Sequence, residues 1–426
     1  REKYPKFIYE KYFYKIVGND LRIVFDFKIE PDIFFKPKIV IKNIDKRKLF
    51  KIEEKILNNL IFHLGLIEIP SYWKATCSPE IEIKSGVLDL QQIKWWKYLI
   101  INGMGQFFYE NKIDFRKPDF LTIETINTKN NLVNFYAIAQ KVDKDETNRE
   151  RTLVPVGGGR DSIVTLELLK KEKKEINAFL VNPSKVAKEV VRVAGIRDPI
   201  IINRIIDSNL LKLNKKGYLN GHTPFTAVLS FLAVFCAVLF GYKNIAFSNE
   251  KSANEGNVWY LGKMINHQWS KSSDFEKKFR FYCKRYLAKN INYFSYLRKY
   301  GELEISQMFI QYPQYFSVFS SCNVVLAKKM KQRWCGNCPK CLFIYGTLYP
   351  FLEKKDLLRI FGKDIFENKN LLPIMIELID PKIAKPFECV GTKKESKKVF
   401  LMSLKKAKKE DKIPFLLREL EKLLRS

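Results

Sequence analysis

Three consecutive glycines, Gly157, Gly158 and Gly159, constrain what this chain can fold into more than any other feature. The segment reads Thr152-Leu-Val-Pro-Val-Gly157-Gly158-Gly159-Arg160-Asp161-Ser162, after which Ile163, Leu166 and Leu169 recur at helical spacing. A short strand, a glycine turn and a helix in that order bring unhindered backbone N–H groups and a helix N-terminus to one point. That is an anion cradle. Asp161 would repel a phosphate held there unless a cation lay between them, so the pattern calls for Mg²⁺. Neither a Walker loop nor Gly-x-Gly-x-x-Gly is present. A glycine-rich turn that binds nothing is the plainer alternative.

The segment resembles the Ser-Gly-Gly-x-Asp-Ser loop of the PP-loop ATP pyrophosphatases, with Gly157 in place of the first serine. The resemblance implies that Gly157, Gly158, Gly159, Arg160, Asp161 and Ser162 bind ATP. Asn182 lies where such proteins receive the nucleoside.

The flanking chain supports an α/β reading. Strands are expected at Ile176–Val181, near 200–202 and at 245–247, and a helix over Phe225–Phe240. Strands alternating with helices imply a doubly wound parallel sheet, whose ligands bind beyond the carboxyl ends of the strands. Residues 149–350 are therefore expected to form an ATP-binding catalytic domain. Residues 1–148 read as an α+β domain: Ile23, Phe25, Phe27 and Ile29 alternate as a strand after a Gly18-Asn19-Asp20 turn, and Ile52, Ile56, Leu60 and Leu64 repeat as a helix up to Pro70. A second helix or helix pair over 91–108 is interrupted at Gly103 and Gly105 and carries Trp95 and Trp96, better read as core than as a stacking platform. Residues 141–151 read as a linker. Residues 351–426 read as a helical tail with a leucine stripe packed on the body and lysines on a solvated face.

Charge alone settles little. The formal net charge is +30, which suits any polyanion, from nucleic acid to a nucleotide-linked metabolite. The longest apolar run, Phe225–Phe240, is short for a membrane span and carries Thr226 and Ser230. No signal peptide stands out, and the protein reads as cytoplasmic with no membrane partner.

Cys322, Cys335, Cys338 and Cys341 form a distal cysteine followed by Cys-x2-Cys-x2-Cys. Four thiolates so spaced suit a closed structural Zn²⁺ site. A thiolate-bound iron–sulfur cluster and a redox Cys-x-x-Cys are the alternatives. Cys236 and Cys283 read as core thiols.

A pyrophosphate loop followed by this cysteine pattern is similar to 7-cyano-7-deazaguanine synthase-like enzymes. Longer motifs point elsewhere. Gly217-Tyr-Leu-Asn-Gly-His222-Thr-Pro, Ser248-Asn-Glu250, Ala253-Asn-Glu255-Gly-Asn257, Asn266-His267-Gln-Trp-Ser-Lys271, Trp334-Cys-Gly-Asn-Cys-Pro-Lys-Cys341 and Pro386-Phe-Glu-Cys389-Val-Gly-Thr392 resemble the MurL family. Gly103-Met-Gly-Gln-Phe-Phe-Tyr-Glu-Asn111 extends the likeness toward the N-terminus. Arg160 and Trp269 depart from it, standing where lysine and tyrosine are expected.

The resemblance implies an ATP- and Mg²⁺-dependent epimerase. It would invert the terminal L-glutamate of UDP-N-acetylmuramoyl-L-alanyl-L-glutamate through an acyl-adenylate, releasing AMP and diphosphate in peptidoglycan precursor synthesis. Asp161 would hold Mg²⁺ and Arg160 would steady the leaving pyrophosphate. His222, Glu250, Glu255 and Cys389 compete for the acid and base roles. His222 is expected just before a helix whose N-terminus would lower its pKa. His267 would bind substrate or brace a loop. The competing readings are a tRNA-modifying PP-loop thiolase or ligase, a deazapurine enzyme and a nucleotide-binding protein without catalysis.

Overall fold

The computed structural model describes residues 1–125, 150–328 and 330–425, so the expected linker lies outside the described residues except at 150 and 151. The chain is a mixed α/β protein that divides into two compact units interleaved in sequence. The first comprises Arg1–Leu153, Ile200–Ile245 and Trp259–Phe294; the second comprises Val154–Pro199, Ala246–Val258 and Ser295–Ser426.

Ten strands are used below. They are β1 (Lys6–Val17), β2 (Asp20–Ile29), β3 (Ile33–Phe35), β4 (Lys38–Ile41), β5 (Glu80–Ile83) and β6 (Thr122–Thr125), then β7 (Thr152–Pro155), β8 (Ile176–Val181), β9 (Ile200–Ile205) and β10 (Asn244–Phe247).

In the first unit, β1 and β2 form a hairpin in which Gly18 takes the left-handed conformation (φ 61°) that a tight turn needs. The sheet continues as β9-β4-β2-β1-β5-β6, with β3 also on β2. β1 runs parallel to β5, and β5 to β6, whereas β2 pairs antiparallel with β1 and β4, and β4 with β9. The parallel sheet expected for residues 149–350 is departed from at β9, which pairs antiparallel with β4: Ile202 lies opposite Ile41, on a strand far earlier in the chain. No local periodicity marks such a partner.

Helix Glu54–Trp73 packs on β1 and β2 and against helix Phe225–Phe240. It runs past Pro70, its expected end. Proline there forfeits one ladder bond, but burial on nearly every side holds the last turn in register. Helix Phe225–Phe240 has the expected bounds, is buried along most of its length, and ends at Gly241 in the left-handed conformation. Among the described residues, no helix is long and apolar enough to cross a membrane. Trp96 is 3% exposed and both tryptophans pack on Phe231 and Tyr282, so the core reading of that pair holds.

In the second unit, the chain leaving β7 bonds to β8 through the Val156 N–H and the Phe179 carbonyl (3.0 Å). Helix Arg160–Lys171 packs on helix Glu302–Phe309, which in turn packs on Pro339–Leu348 and Lys393–Lys409. The tail is helical, as expected. Leu416, Leu417 and Leu420 are buried, while Leu423 and Leu424 are about half exposed. Two tail lysines depart from the solvated-face reading. Lys393 Nζ donates to the carbonyls of Glu377 (2.8 Å) and Ile383 (2.6 Å), and Lys406 Nζ to that of Tyr349 (3.1 Å). Both fasten helix or loop ends.

Candidate functional site

The glycine turn lies wholly in the second unit. Gly158 has φ +92°, and a Cβ there would come within 2.7 Å of Val186 Cγ1 and 2.9 Å of the Ala187 nitrogen. Only glycine fits. Gly159 is pressed against Ser321, and the Ser320 N–H donates to the Gly158 carbonyl (3.1 Å). A Cβ on Gly157, by contrast, would meet nothing within 4 Å, so the room a serine would need is open. Gly159 begins helix Arg160–Lys171 and supplies no side-chain cap. The first N–H groups of a helix have no partners within it, so this end is suited to an anion. Asn182, at the end of β8, is exposed and left-handed (φ 47°).

Arg160 is turned inward. It is fully buried, donating through Nε to Asp161 (2.9 Å), through one terminal nitrogen to Ser306 (2.9 Å) and Thr347 (3.2 Å), and through the other to Glu302. The pyrophosphate-steadying role expected for it would require breaking this set. The guanidinium fork instead ties the residue after the glycine turn to the helix beginning at Glu302. Glu302 is a central residue that sequence reasoning missed. Burial pushes its carboxyl up; Arg160 opposes this, while the carboxylates of Asp161 and Glu250 add to it. The Ser252 hydroxyl lies 3.0 Å from Glu302 Oε1 and 3.3 Å from Glu250 Oε1. One hydroxyl proton serves one carboxylate at a time, so the pair is best satisfied with one more proton or a cation present.

The expected strand-end loop therefore delivers Glu250 into a buried network, only 4% exposed. Glu255, farther along, accepts from the Lys393 N–H (3.1 Å) and pairs with Lys385 Nζ at 3.3 Å. The side chain of Lys385 is 1% exposed and its Nζ has no hydrogen-bond partner. Asn257 Nδ2 donates to the Pro386 carbonyl (2.8 Å), so the loops at 250–257 and 386–392 are fastened together. Cys389 is partly exposed, and its carbonyl accepts from buried Lys340. Gly391 permits the close approach: a Cβ would fall 2.5 Å from Phe343 and 3.1 Å from Glu302 Cγ.

The four clustered cysteines converge. All four sulfurs lie within 4.8 Å of one another, with Cys322–Cys338 at 3.9 Å and Cys335–Cys341 at 3.7 Å. A tetrahedral ion with bonds of about 2.3 Å to sulfur sets sulfurs about 3.8 Å apart. N–H groups of Gly336, Asn337 and Cys341 point to sulfurs at 3.4 Å. The group can hold one metal ion. It also abuts the glycine turn, because Ser320, which contacts Gly158, donates to the Arg333 carbonyl (2.6 Å) and accepts from the Cys322 N–H (3.2 Å).

His222 lies in the first unit. It stands three residues ahead of helix Phe225–Phe240, with its ring 4.6 Å from that of His267. Burial, then the charges of His267, Lys74 and Lys271, push its pKa down to about 3. Its Nδ1 has no hydrogen-bond partner. His267 Nδ1 lies 2.5 Å from Gln106 Oε1, and Lys74 Nζ donates to the carbonyl of Gly221 (2.9 Å). Gly103 makes room for Pro224 and Gly105 for Ile265. Three of the sequence motifs, around 103–111, 217–224 and 266–271, thus meet in this unit, the first through Gln106, and Lys74 joins them unanticipated. Trp269 braces the same loop, donating to Asp274 (3.0 Å) and packing on Phe275.

A family model described as the MurL N-terminal domain matches residues 1–296, and one described as the MurL C-terminal domain matches 318–424. The chain is 32% identical over 357 residues to the UDP-N-acetyl-alpha-D-muramoyl-L-alanyl-L-glutamate epimerase of Xanthomonas oryzae pv. oryzae, covering 82% of this chain and 76% of that one. It is 40% and 39% identical to proteins of the same name from Salinispora tropica and Micromonospora sp.. Those two matches span 59% and 58% of this chain and 55% of each relative. A solved structure, a predicted tRNA methyltransferase subunit from Methanocaldococcus jannaschii, covers 42% of this chain and 88% of its own at 13% identity. Its TM-score of 0.25 is too low to carry an argument.

Proposed function

The chain belongs to the MurL family, and from that premise we propose that it epimerises the terminal L-glutamate of UDP-N-acetyl-α-D-muramoyl-L-alanyl-L-glutamate by way of ATP. It is an epimerase of peptidoglycan precursor synthesis, and a UDP-linked substrate supports a cytoplasmic location. The names of its relatives support the substrate. The ATP-dependent route rests on one observation of this chain: the uncapped glycine turn with Asp161 beside it.

The chemistry explains why a nucleotide is needed. Removing the Cα proton beside a free carboxylate would place two negative charges together. Adenylation of that carboxylate removes one charge and supplies an electron sink, so a base can take the proton and an acid return it on the other face. Loss of AMP by hydrolysis then drives the cycle forward.

In this reading the backbone of 157–162 binds the phosphates, as a PP-loop fold would, and Asn182 meets the nucleoside. Asp161 would hold Mg²⁺, which supplies charge neutralisation at the phosphates. Arg160 and Glu302 orient Asp161 from behind. Cys322, Cys335, Cys338 and Cys341 would hold Zn²⁺ in a structural role. Proton transfer is assigned among Glu250, Glu255 and Cys389 of the second unit, with His222 of the first, whose imidazole is neutral at physiological pH, as the competing candidate.

The test is pyrophosphate release that requires both ATP and the muramoyl dipeptide. Asp161→Asn should lower it at least about 100-fold while leaving the fold intact by circular dichroism. Unaltered release in that variant would remove Asp161 from the nucleotide site. Exchange of the glutamate α-proton for deuterium, measured in Glu250→Gln, Glu255→Gln, Cys389→Ala and His222→Gln, assigns the faces. If all four exchange at the wild-type rate, these assignments are wrong.

A further inference from the structure

Among the described residues, the sheet of the first unit has one face covered by helix Glu54–Trp73 and another that is open. On the open face two rows cross the strands. Lys15 stands opposite Arg22, and Arg22 opposite Val40; in the next row Phe13 stands opposite Val24, and Val24 opposite Lys38. With Lys36, Lys42 and Asp20 at the margins, these residues line a concavity of about 560 Å³. Its floor is apolar, with Val24 and Val40 only 9% and 8% exposed, while Phe13 is 45% exposed at one end.

The charges are unbalanced. Asp20 pairs with Lys42 at 2.6 Å, and Lys36 lies 3.7 Å from Asp26. Among the described residues, Lys15, Arg22 and Lys38 have no ion pair within 4 Å, and Asp20 is the sole carboxylate lining the concavity. Like charges facing each other across an antiparallel pair destabilise a sheet. Lys15 opposite Arg22, with Lys38 diagonal to it, is therefore a costly arrangement that a bound anion would relieve. Arginine grips phosphate with two parallel bonds, and an exposed aromatic ring can carry a base. The volume suits one small molecule rather than a nucleic-acid strand.

We infer that this open sheet face binds a nucleoside diphosphate, the UDP half of the substrate. Lys15, Arg22 and Lys38 hold the diphosphate, and Phe13 carries the base over the Val24–Val40 floor. The inference rests on the substrate reading given above.

The experiment titrates UDP into the full chain by calorimetry, with inorganic pyrophosphate and bulk tRNA as comparison probes. UDP should bind, and Lys15→Gln/Arg22→Gln should weaken it at least about tenfold. Phe13→Ala should weaken UDP but leave pyrophosphate unchanged. In turnover, the double variant should raise KM for the muramoyl dipeptide by a similar factor without changing kcat. These side chains are exposed, so thermal melts matching wild type keep the comparison fair. UDP that fails to bind, or binds the double variant as tightly, overturns the inference. So does tRNA binding with a steep salt slope in the absence of UDP binding. If the substrate reading itself is wrong, the wild type shows no α-proton exchange. If only this site is wrong, the wild type turns over and the double variant keeps its KM.

Discussion

The Arg160 guanidinium and the Glu302 carboxylate form a buried ion pair, with side-chain exposures of 0% and 2%. The same guanidinium nitrogen reaches Asp161 at 2.8 Å. One cation thus joins the residue proposed to meet Mg²⁺ to a helix that begins more than a hundred residues later.

Removing one partner of such a pair leaves a buried charge without its counter-ion. Glu302→Gln should destabilise the second unit by about 3–5 kcal/mol, measured by urea unfolding. Arg160→Met combined with Glu302→Leu should recover much of that loss while still failing to release pyrophosphate. A double variant as unstable as the single would show that the pair acts through something other than charge.

The glycines separate cleanly. Gly158→Ala forces a side chain into a left-handed position 2.9 Å from the Ala187 nitrogen, and should weaken ATP binding at least about tenfold. Gly157→Ser points into open space and should bind ATP as the wild type does. Calorimetric titration with a non-hydrolysable ATP analogue checks both.

Metal removal should be felt at the glycine turn. Ser320 connects the Gly158 carbonyl to Cys322, so Cys338→Ser should lose one equivalent of bound metal and weaken ATP binding together. Metal analysis alongside the same titration reads both quantities. Full ATP affinity in a metal-free variant would uncouple them.

Acid should destabilise the first unit before the carboxylates titrate. Burial pushes His63 down to about 4 and His222 to about 3, from an ordinary 6.5. Below pH 6.5 the unfolded chain binds protons that the folded one refuses, so stability falls as pH drops from 6.5 toward 4 and is full above that window. Burial keeps His63 neutral although the Asn59 carbonyl, 2.7 Å from Nδ1, favours the proton; the Tyr282 hydroxyl lies 2.9 Å from Nε2. His222→Gln should flatten the slope of unfolding free energy against pH by about one proton. An unchanged slope would mean that His222 is protonated in the folded state.

What was legible in the sequence was local. The glycine turn, the Gly18 hairpin, helix Phe225–Phe240 and the Cys-x2-Cys-x2-Cys group each state their geometry within a few residues. Glu302 and Lys385 were not legible, because each reaches the site from a segment remote from the glycine turn and looks, in sequence, like any other polar residue on a helix or loop; Ser252 and Lys340 lay beside the named motif residues, with nothing local to mark what they contact. The pairing of β9 with β4 was hidden for the same reason. Pro70 misled in the opposite direction: its local signal was clear, and burial overrode it. Arg160 was read from its motif as a phosphate ligand, yet its partners Ser306 and Thr347 turn it inward.

The most direct measurement is one incubation in D₂O with ATP, Mg²⁺ and UDP-N-acetylmuramoyl-L-alanyl-L-glutamate, following pyrophosphate and deuterium at the glutamate Cα together. The account predicts that both appear, that deuterium enters only when ATP is present, and that D-glutamate accumulates. Deuterium entering without ATP, or pyrophosphate released with no deuterium at Cα, would contradict it.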